Sequence, residues 1–342
     1  MRILKKADIG LEIIKARLLR KNTPLYVQLA VTNRCNLSCR YCNIPNRKTE
    51  ELSTEEIFSI IDQLVDLGTK RVTILGGEPL LRNDIGKIIS YLKRKDIYCG
   101  LTTNGYFVKS RLHDIKDLDT IAISIDGDEK ENDCMRGEGS YQKAIEALYQ
   151  VKEIGIPVVL SVTMVKANID SLDSVLKLAR KFNCQALINI AYHSNISSLS
   201  AKENLATNLE YKSLIKKILV EKKKGAPILL SDRTYRYVLK WPDYFRDKIV
   251  SDNDKCIPQH SSHCQAGKLF CYIDADGNIY PCALNVGEVE ALNCIEVGVE
   301  KAWRNSSNHN CRACCVACFV EYNSIFSLNP NVIFNTIKFH KR

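Results

Sequence analysis

The chain predicts an α/β fold, a curved (β/α)6 partial TIM barrel followed by a small C-terminal cysteine-rich module. Three observations predict it. Six short apolar strands, each followed by a helical period, fill residues 25–224. Residues suited to chemistry gather at the C-terminal ends of those strands, as in barrels. After about residue 225 the alternation breaks at Pro227, Pro242 and Pro258, and nine of the fifteen cysteines fall between Cys256 and Cys318. Strand–helix alternation calls for a parallel sheet with right-handed crossovers. A flat doubly wound sheet is the alternative.

The elements follow in order. Residues 3–21 carry an amphipathic helical pattern among lysines and arginines, stopped by Pro24. That helix either caps the barrel bottom or docks on a membrane surface. Strand Leu25–Val31 comes next. Helix Thr54–Leu67 opens on a capping box, with Ser53 as N-cap and Glu56 three residues on. Strand Arg71–Leu75 precedes helix Asp84–Lys93, and strand Tyr98–Thr103 precedes a weaker helix over 108–117. Strand Thr120–Ile125 precedes helix Tyr141–Ile154, and strand Val158–Val165 precedes helix Ser171–Phe182. The last pair is strand Ala186–Ala191 and a helix over Leu209–Lys224. The expected domains are 1–24, an N-terminal amphipathic helix; 25–249, the barrel; 250–322, the cysteine-rich module; and 323–342, a tail that packs on the barrel mouth or touches a membrane.

Composition narrows the class. Of 342 residues 45% are hydrophobic and 26% charged, ordinary for a globular protein. No apolar run is long enough to span a bilayer. Charges at the first residues, where a signal peptide needs an apolar core, argue against secretion, so a cytoplasmic location is expected. The odd cysteine count argues against a disulfide framework and for reduced thiols or metal. The net charge of +10 is scattered, so nucleic acid is not expected as the main partner; an acidic substrate or membrane surface fits equally well.

Cys35, Cys39 and Cys42 follow the first strand in a loop with Asn33, Asn36 and Ser38. Three thiolates can hold a four-iron, four-sulfur cube and leave one iron open for a small molecule; zinc is equally allowed by the spacing. The second strand ends in Gly76-Gly77-Glu78-Pro79, where two glycines permit close backbone approach to a ligand and Glu78 suits an ammonium group. With both motifs in view, the chain resembles radical S-adenosylmethionine (AdoMet) enzymes over roughly residues 25–195. Cys35, Cys39 and Cys42 match that superfamily's CxxxCxxC, with Tyr41 in the usual aromatic place, and Gly76, Gly77, Glu78 and Pro79 match its GGEP motif. Asn104 in Thr103-Asn104-Gly105, then Ser124, Asp126 and Arg136 after strand four, resemble residues that contact AdoMet. The resemblance implies a 4Fe-4S cluster, AdoMet chelated to its open iron, a 5′-deoxyadenosyl radical, and an external one-electron donor of flavodoxin or ferredoxin type.

Asp276-Gly277-Asn278 between apolar runs signals a hairpin that brings Cys264 near Cys282. Cys311 and Cys314 add a CxxC, giving a four-thiolate site for which zinc is the plain alternative. The module resembles the twitch domain, the shorter relative of the SPASM domain, which implies one auxiliary 4Fe-4S cluster. Position 320 is Val320 where the full SPASM pattern has cysteine. Cys256, Cys271, Cys294, Cys315 and Cys318 stay unassigned, with Cys315 and Cys318 open as substitutes for Cys314. Cys99, Cys134 and Cys184 are expected to be structural. His193 faces the expected pocket, and His260 and His263 flank Cys264 without an assigned role. Small molecules and cell-envelope or lipid precursors are the favoured substrates. A peptide-modifying maturase is a further option, weakened by only about 25 residues ahead of the first strand. A non-catalytic iron–sulfur or zinc protein is the reading from another class.

Overall fold

A computed structural model describes residues 2–192, 204–249 and 264–339. Cys256, His193, His260 and His263 lie outside the described residues. Helix α1 (Arg2–Leu18) leads into strands β1 (Tyr26–Ala30), β2 (Arg71–Leu75), β3 (Tyr98–Thr103), β4 (Thr120–Ser124), β5 (Val158–Met164) and β6 (Gln185–Ile190). Between and after them run α2 (Thr54–Asp66), α3 (Ile85–Arg94), α4 (Leu112–Ile115), α5 (Glu129–Arg136), α6 (Ser140–Glu153), α7 (Leu172–Lys181), α8 (Asn208–Lys223) and α9 (Asp232–Leu239). The strands lie side by side in chain order, every neighbouring pair parallel. A doubly wound sheet would reverse direction once, so the sequential order decides for the partial barrel.

Alternation along the strands separates two faces. Val72 and Ile74 of β2, Ile121 and Ile123 of β4, and Leu160 and Val162 of β5 are fully buried, packed with Ile57, Ile61, Ile88, Leu92, Leu148 and Leu176 of the helices. Each such side chain contributes about 1.5–3 kcal/mol by leaving water. Their neighbours Thr73, Ser124, Ser161 and Thr163 are half-buried on the other, inner face. The Ser53 capping box of α2 forms as expected, the Glu56 amide donating to Ser53 Oγ at 3.2 Å and the Ser53 amide to Glu56 Oε2 at 2.7 Å. The weak helix over 108–117 is instead a 3-10 turn at Lys109–Arg111 running into the four-residue α4.

The C-terminal third extends the barrel sheet. A short strand β7 (Lys248–Ile249) precedes the hairpin of β8 (Phe270–Ile273) and β9 (Asn278–Tyr280), and β10 (Leu292–Asn293) pairs with β9. Strand β8 pairs in parallel with β1, Tyr26 opposite Phe270, so nine strands form one continuous sheet. The hairpin turn closes through the Gly277 amide to the Asp274 carbonyl, with Gly277 at φ +87°. After it come α10 (Cys294–Val297), α11 (Val299–Ser306), β11 (Ala313–Cys314), which pairs with β7, then α12 (Ala317–Phe326) and α13 (Pro330–Phe339). Helix α12 spans the barrel's open side. Phe319 and Phe326 stack on Phe270, Tyr322 meets the Tyr26 ring edge-on at 4.9 Å, and the Cys318 amide donates to Asn189 Oδ1 on β6 at 3.1 Å. Aromatic pairs of this kind add about 0.5–1.5 kcal/mol each beyond burial.

Candidate active site

The cysteine loop begins where β1 ends. The Gly77 amide donates to the Thr32 carbonyl and the Glu78 amide to the Arg34 carbonyl, each at 2.8 Å. A Cβ on Gly76 would lie 2.2 Å from the Thr32 carbonyl oxygen, and one on Gly77 2.2 Å from that of Arg34. The glycines therefore let the second strand's end approach the backbone of the cysteine loop itself. Glu51 binds the same loop from the other side, accepting from Thr32 Oγ1 at 2.5 Å and from the Asn33 amide at 3.2 Å. Arg82 donates to the carbonyls of Val31 and Leu52 at 2.8 and 2.9 Å. Sequence reading singled out neither Glu51 nor Arg82; no local pattern marks them, because their partners are distant in the chain.

Burial raises all three thiols, Cys42 to about 11. The Leu37 amide (3.4 Å) and Asn104 Nδ2 (3.9 Å) favour a thiolate at Cys35, and the Arg136 guanidinium favours one at Cys39. Three soft donors in one loop, with amide donors aimed at sulfur, fit an iron–sulfur cluster whose loading releases protons. Among the described residues no three Cys, His, Asp or Glu side chains converge as a single-ion site requires. A cube ligated one iron per sulfur needs no such convergence.

Glu78 is fully buried and accepts from Leu80 N (3.0 Å), Thr103 Oγ1 (2.8 Å) and Asn104 N (2.8 Å). Burial pushes its carboxyl up to about 7 against the pull of these donors. The side chain thus ties the turn at Pro79 to the end of β3 and orients Asn104, whose Nδ2 also donates to Asn36 Oδ1 at 2.9 Å.

The structure brings Tyr41, Asp126 and Arg136 together. Asp126, fully buried, accepts from Tyr41 Oη and from Arg136 Nε at 2.7 Å each, and from the Thr163 amide at 2.9 Å. The guanidinium carbon lies 5.7 Å from the Tyr41 ring centroid, a cation–π distance. Helix α5 supplies this arrangement: Asn132 and Arg136, one turn apart, both reach Asp126, Asn132 through its Oδ1 to the Asp126 amide at 2.9 Å. That helix was not expected from its polar sequence. The Asp128–Glu131 capping box, now seen with both bonds formed, was the available signal. Asn168 donates to the carbonyls of Asp126 and Thr163, joining the ends of β4 and β5. Ser124 ends β4 half-buried, in register with Ser161.

The four cysteines expected of the second site interact in pairs. Cys264 and Cys311 interact directly, and Cys264 and Cys282 both lie near enough to Cys314 to influence its titration. The interaction with Cys311 lowers Cys264 and raises Cys311, while burial raises Cys282 and Cys314. Buried Cys271 and Cys294 neighbour each other in the main core, and Cys315 sits there too, its amide donating to the Asp247 carbonyl at 2.9 Å. Cys99 and Cys184 are buried, but Cys134 is exposed on α5, so it is not a packing residue as expected. The hairpin turn is anchored beside the first loop by Arg47, which forms a two-pronged pair with buried Asp274 at 3.1 and 2.5 Å. Tyr192, just beyond β6, links the two sets. Burial raises its phenol, and Cys318, Cys282 and Cys42 all push it further up. Both cysteine sets therefore flank one end of the barrel. A cavity of about 360 Å³ opens between α9 and α12, with Cys314, Tyr237, Arg233, Arg236 and Lys240 in its lining.

Residues 29–179 match the family model of the Radical SAM superfamily. The chain is 23% identical over 293 residues to the AdoMet-dependent heme synthase of Nitratidesulfovibrio vulgaris, covering 81% of this chain and 78% of that protein. Among solved structures, Streptococcus suis SuiB bound to S-adenosylmethionine aligns with a TM-score of 0.61 at 18% identity. That alignment covers 85% of this chain and 66% of SuiB, so this chain spans just under two thirds of that protein. The anSMEcpe structure with bound AdoMet and Cp18Cys peptide aligns at 0.62 and 13% identity, over 92% of this chain and 99% of that one. These structural likenesses establish the shared fold.

Proposed function

Since residues 29–179 make this chain a radical SAM superfamily enzyme, we propose that Cys35, Cys39 and Cys42 hold its AdoMet-cleaving 4Fe-4S cluster and that Cys264, Cys282, Cys311 and Cys314 hold an auxiliary one. The observation that carries this reading is the clamp of Gly76–Glu78 on the cysteine loop, which fixes three thiols beside Asn104 and Arg136. When bound there, the reduced cluster supplies one electron to the AdoMet sulfonium, giving methionine and a 5′-deoxyadenosyl radical that takes a hydrogen atom from substrate.

The chain's own residues bind and orient. The backbone carbonyls of the Gly76–Pro79 turn, held by Glu78, suit the AdoMet ammonium, and Arg136 suits its carboxylate. Tyr41 and Asp126 hold that guanidinium in place. Ser124, half-buried on the inner face, suits the ribose. Helix α12 closes the barrel's open side, which keeps water and stray hydrogen donors from a radical. The auxiliary site, on the same end of the barrel, suits transfer of an electron to or from the substrate. An external carrier of flavodoxin or ferredoxin type, acidic on its docking face, suits the surface around Arg233, Arg236 and Lys240 beside Cys314.

For the substrate we favour a small molecule or a cell-envelope or lipid precursor. Two neighbours with bound peptides, SuiB with precursor peptide SuiA and anSMEcpe with Cp18Cys, keep a peptide as the second reading. Anaerobic reconstitution followed by dithionite and AdoMet tests the core of the proposal. Production of 5′-deoxyadenosine and methionine supports it, and a fully loaded protein that makes neither with any candidate substrate refutes it.

A further inference from the structure

Helix α1 carries two apolar stripes on opposite faces. Ile9, Ile13 and Ala16 lie within one narrow arc and pack on the cluster of buried residues that includes Phe270, Cys282 and Cys314. Leu11, Ile14 and Leu18, at i, i+3 and i+7, fall within an arc of about 60° on the far side. They are 56%, 42% and 75% exposed, and Leu19, next in the chain, is 61% exposed. A helix seated on a globular protein needs only one apolar stripe, and the second is covered by none of the described residues. Among the described residues the other large exposed apolar side chains stand singly; here four fall within nine residues.

The charges beside this stripe are one-sided. Arg17, Arg20 and Lys21 are all exposed, and Lys15 beside them offsets Glu12. The two acids facing the same region are already engaged, Glu12 with Lys15 at 2.7 Å and Asp8 with Lys70 at 3.3 Å. An apolar stripe bordered by excess positive charge complements a surface that is apolar beneath and negative at its boundary. We propose that α1 is an in-plane anchor that holds this enzyme on an anionic lipid bilayer, with Leu11, Ile14, Leu18 and Leu19 inserted and the flanking bases on the headgroups.

Flotation with vesicles tests this on the reconstituted full chain. Wild type is expected to float with phosphatidylcholine vesicles containing phosphatidylglycerol, and at least tenfold less with pure phosphatidylcholine. L11S/L18S is expected to lose at least tenfold in partitioning. L209S, which removes an equally exposed leucine from α8, is expected to change nothing. Both variants alter solvent-facing positions, and circular dichroism with iron content verifies that they fold and load. Equal flotation of wild type and L11S/L18S, an equal loss in L209S, no preference for anionic vesicles, or no flotation at all overturns the proposal. So does light scattering that shows a wild-type dimer turned monomeric by L11S/L18S, which would make a second copy the occupant. Vesicle binding requires no AdoMet cleavage, so failure of the enzymatic reading and failure of this one are read separately.

Discussion

Replacing Asp126 by Asn perturbs the most enclosed ion pair of the candidate site. The carboxylate is fully buried and its three contacts are all donors: Tyr41 Oη and Arg136 Nε on Oδ2, the Thr163 amide on Oδ1. An asparagine has one acceptor oxygen to meet them. If that oxygen faces Tyr41 and Arg136, the new NH2 confronts the Thr163 amide; if reversed, it confronts the guanidinium. Either way one buried donor loses its acceptor, costing about 1–3 kcal/mol, and the buried guanidinium loses its counter-charge. Removing one partner of a buried pair costs about 3–5 kcal/mol in total, the destabilisation expected for D126N in urea titrations. Arg136→Met alone should be comparably costly, and D126N/R136M should cost about 2 kcal/mol less than the sum, since neither charge is then orphaned. A D126N cost below about 1 kcal/mol, or strict additivity in the cycle, refutes the reasoning.

Three further outcomes follow from the geometry. Glu78 has its folded carboxyl raised from 4.5 to about 7, so its stabilising share is fully present below pH 4.5 and lost as pH rises through 7. That difference corresponds to about 3 kcal/mol, and urea titrations from pH 5 to 8.5 should show a decline that is flattened in E78Q. Gly77→Ala places a Cβ against the Arg34 carbonyl and should destabilise by about 3 kcal/mol or more while lowering iron at the first site, measured by denaturation and iron assay. Cys282→Ala should lower iron from about eight to about four per chain, whereas Cys271→Ala should keep all of it and lose only stability, as chemical iron and sulfide analysis would show.

The barrel was legible because each strand's outer face is apolar at period two. The six expected strands agree with β1–β6 to within one residue at each end. The pairing of β8 with β1 was not legible, since hydrophobic period tells which face is buried but not which distant strand lies alongside. The sorting of thiols was half legible. Cys271 precedes Tyr272 on β8, and period two turns the two residues to opposite faces, Cys271 into the helical layer. That Cys314 packs in the cluster with Cys282 while its neighbour Cys315 lies in the main core depends on the β7–β11 pairing, which no local pattern announced. Glu78 was legible as a motif residue, but its three enclosing donors come from the folded meeting of two strands.

The most direct measurement is AdoMet cleavage by the C35A/C39A/C42A variant beside wild type, both reconstituted anaerobically and reduced with dithionite. Wild type should form 5′-deoxyadenosine and methionine, and the variant should form neither while retaining about four irons at the second site. A variant that still cleaves AdoMet, or a loaded wild type that never does, contradicts the assignment of these three cysteines.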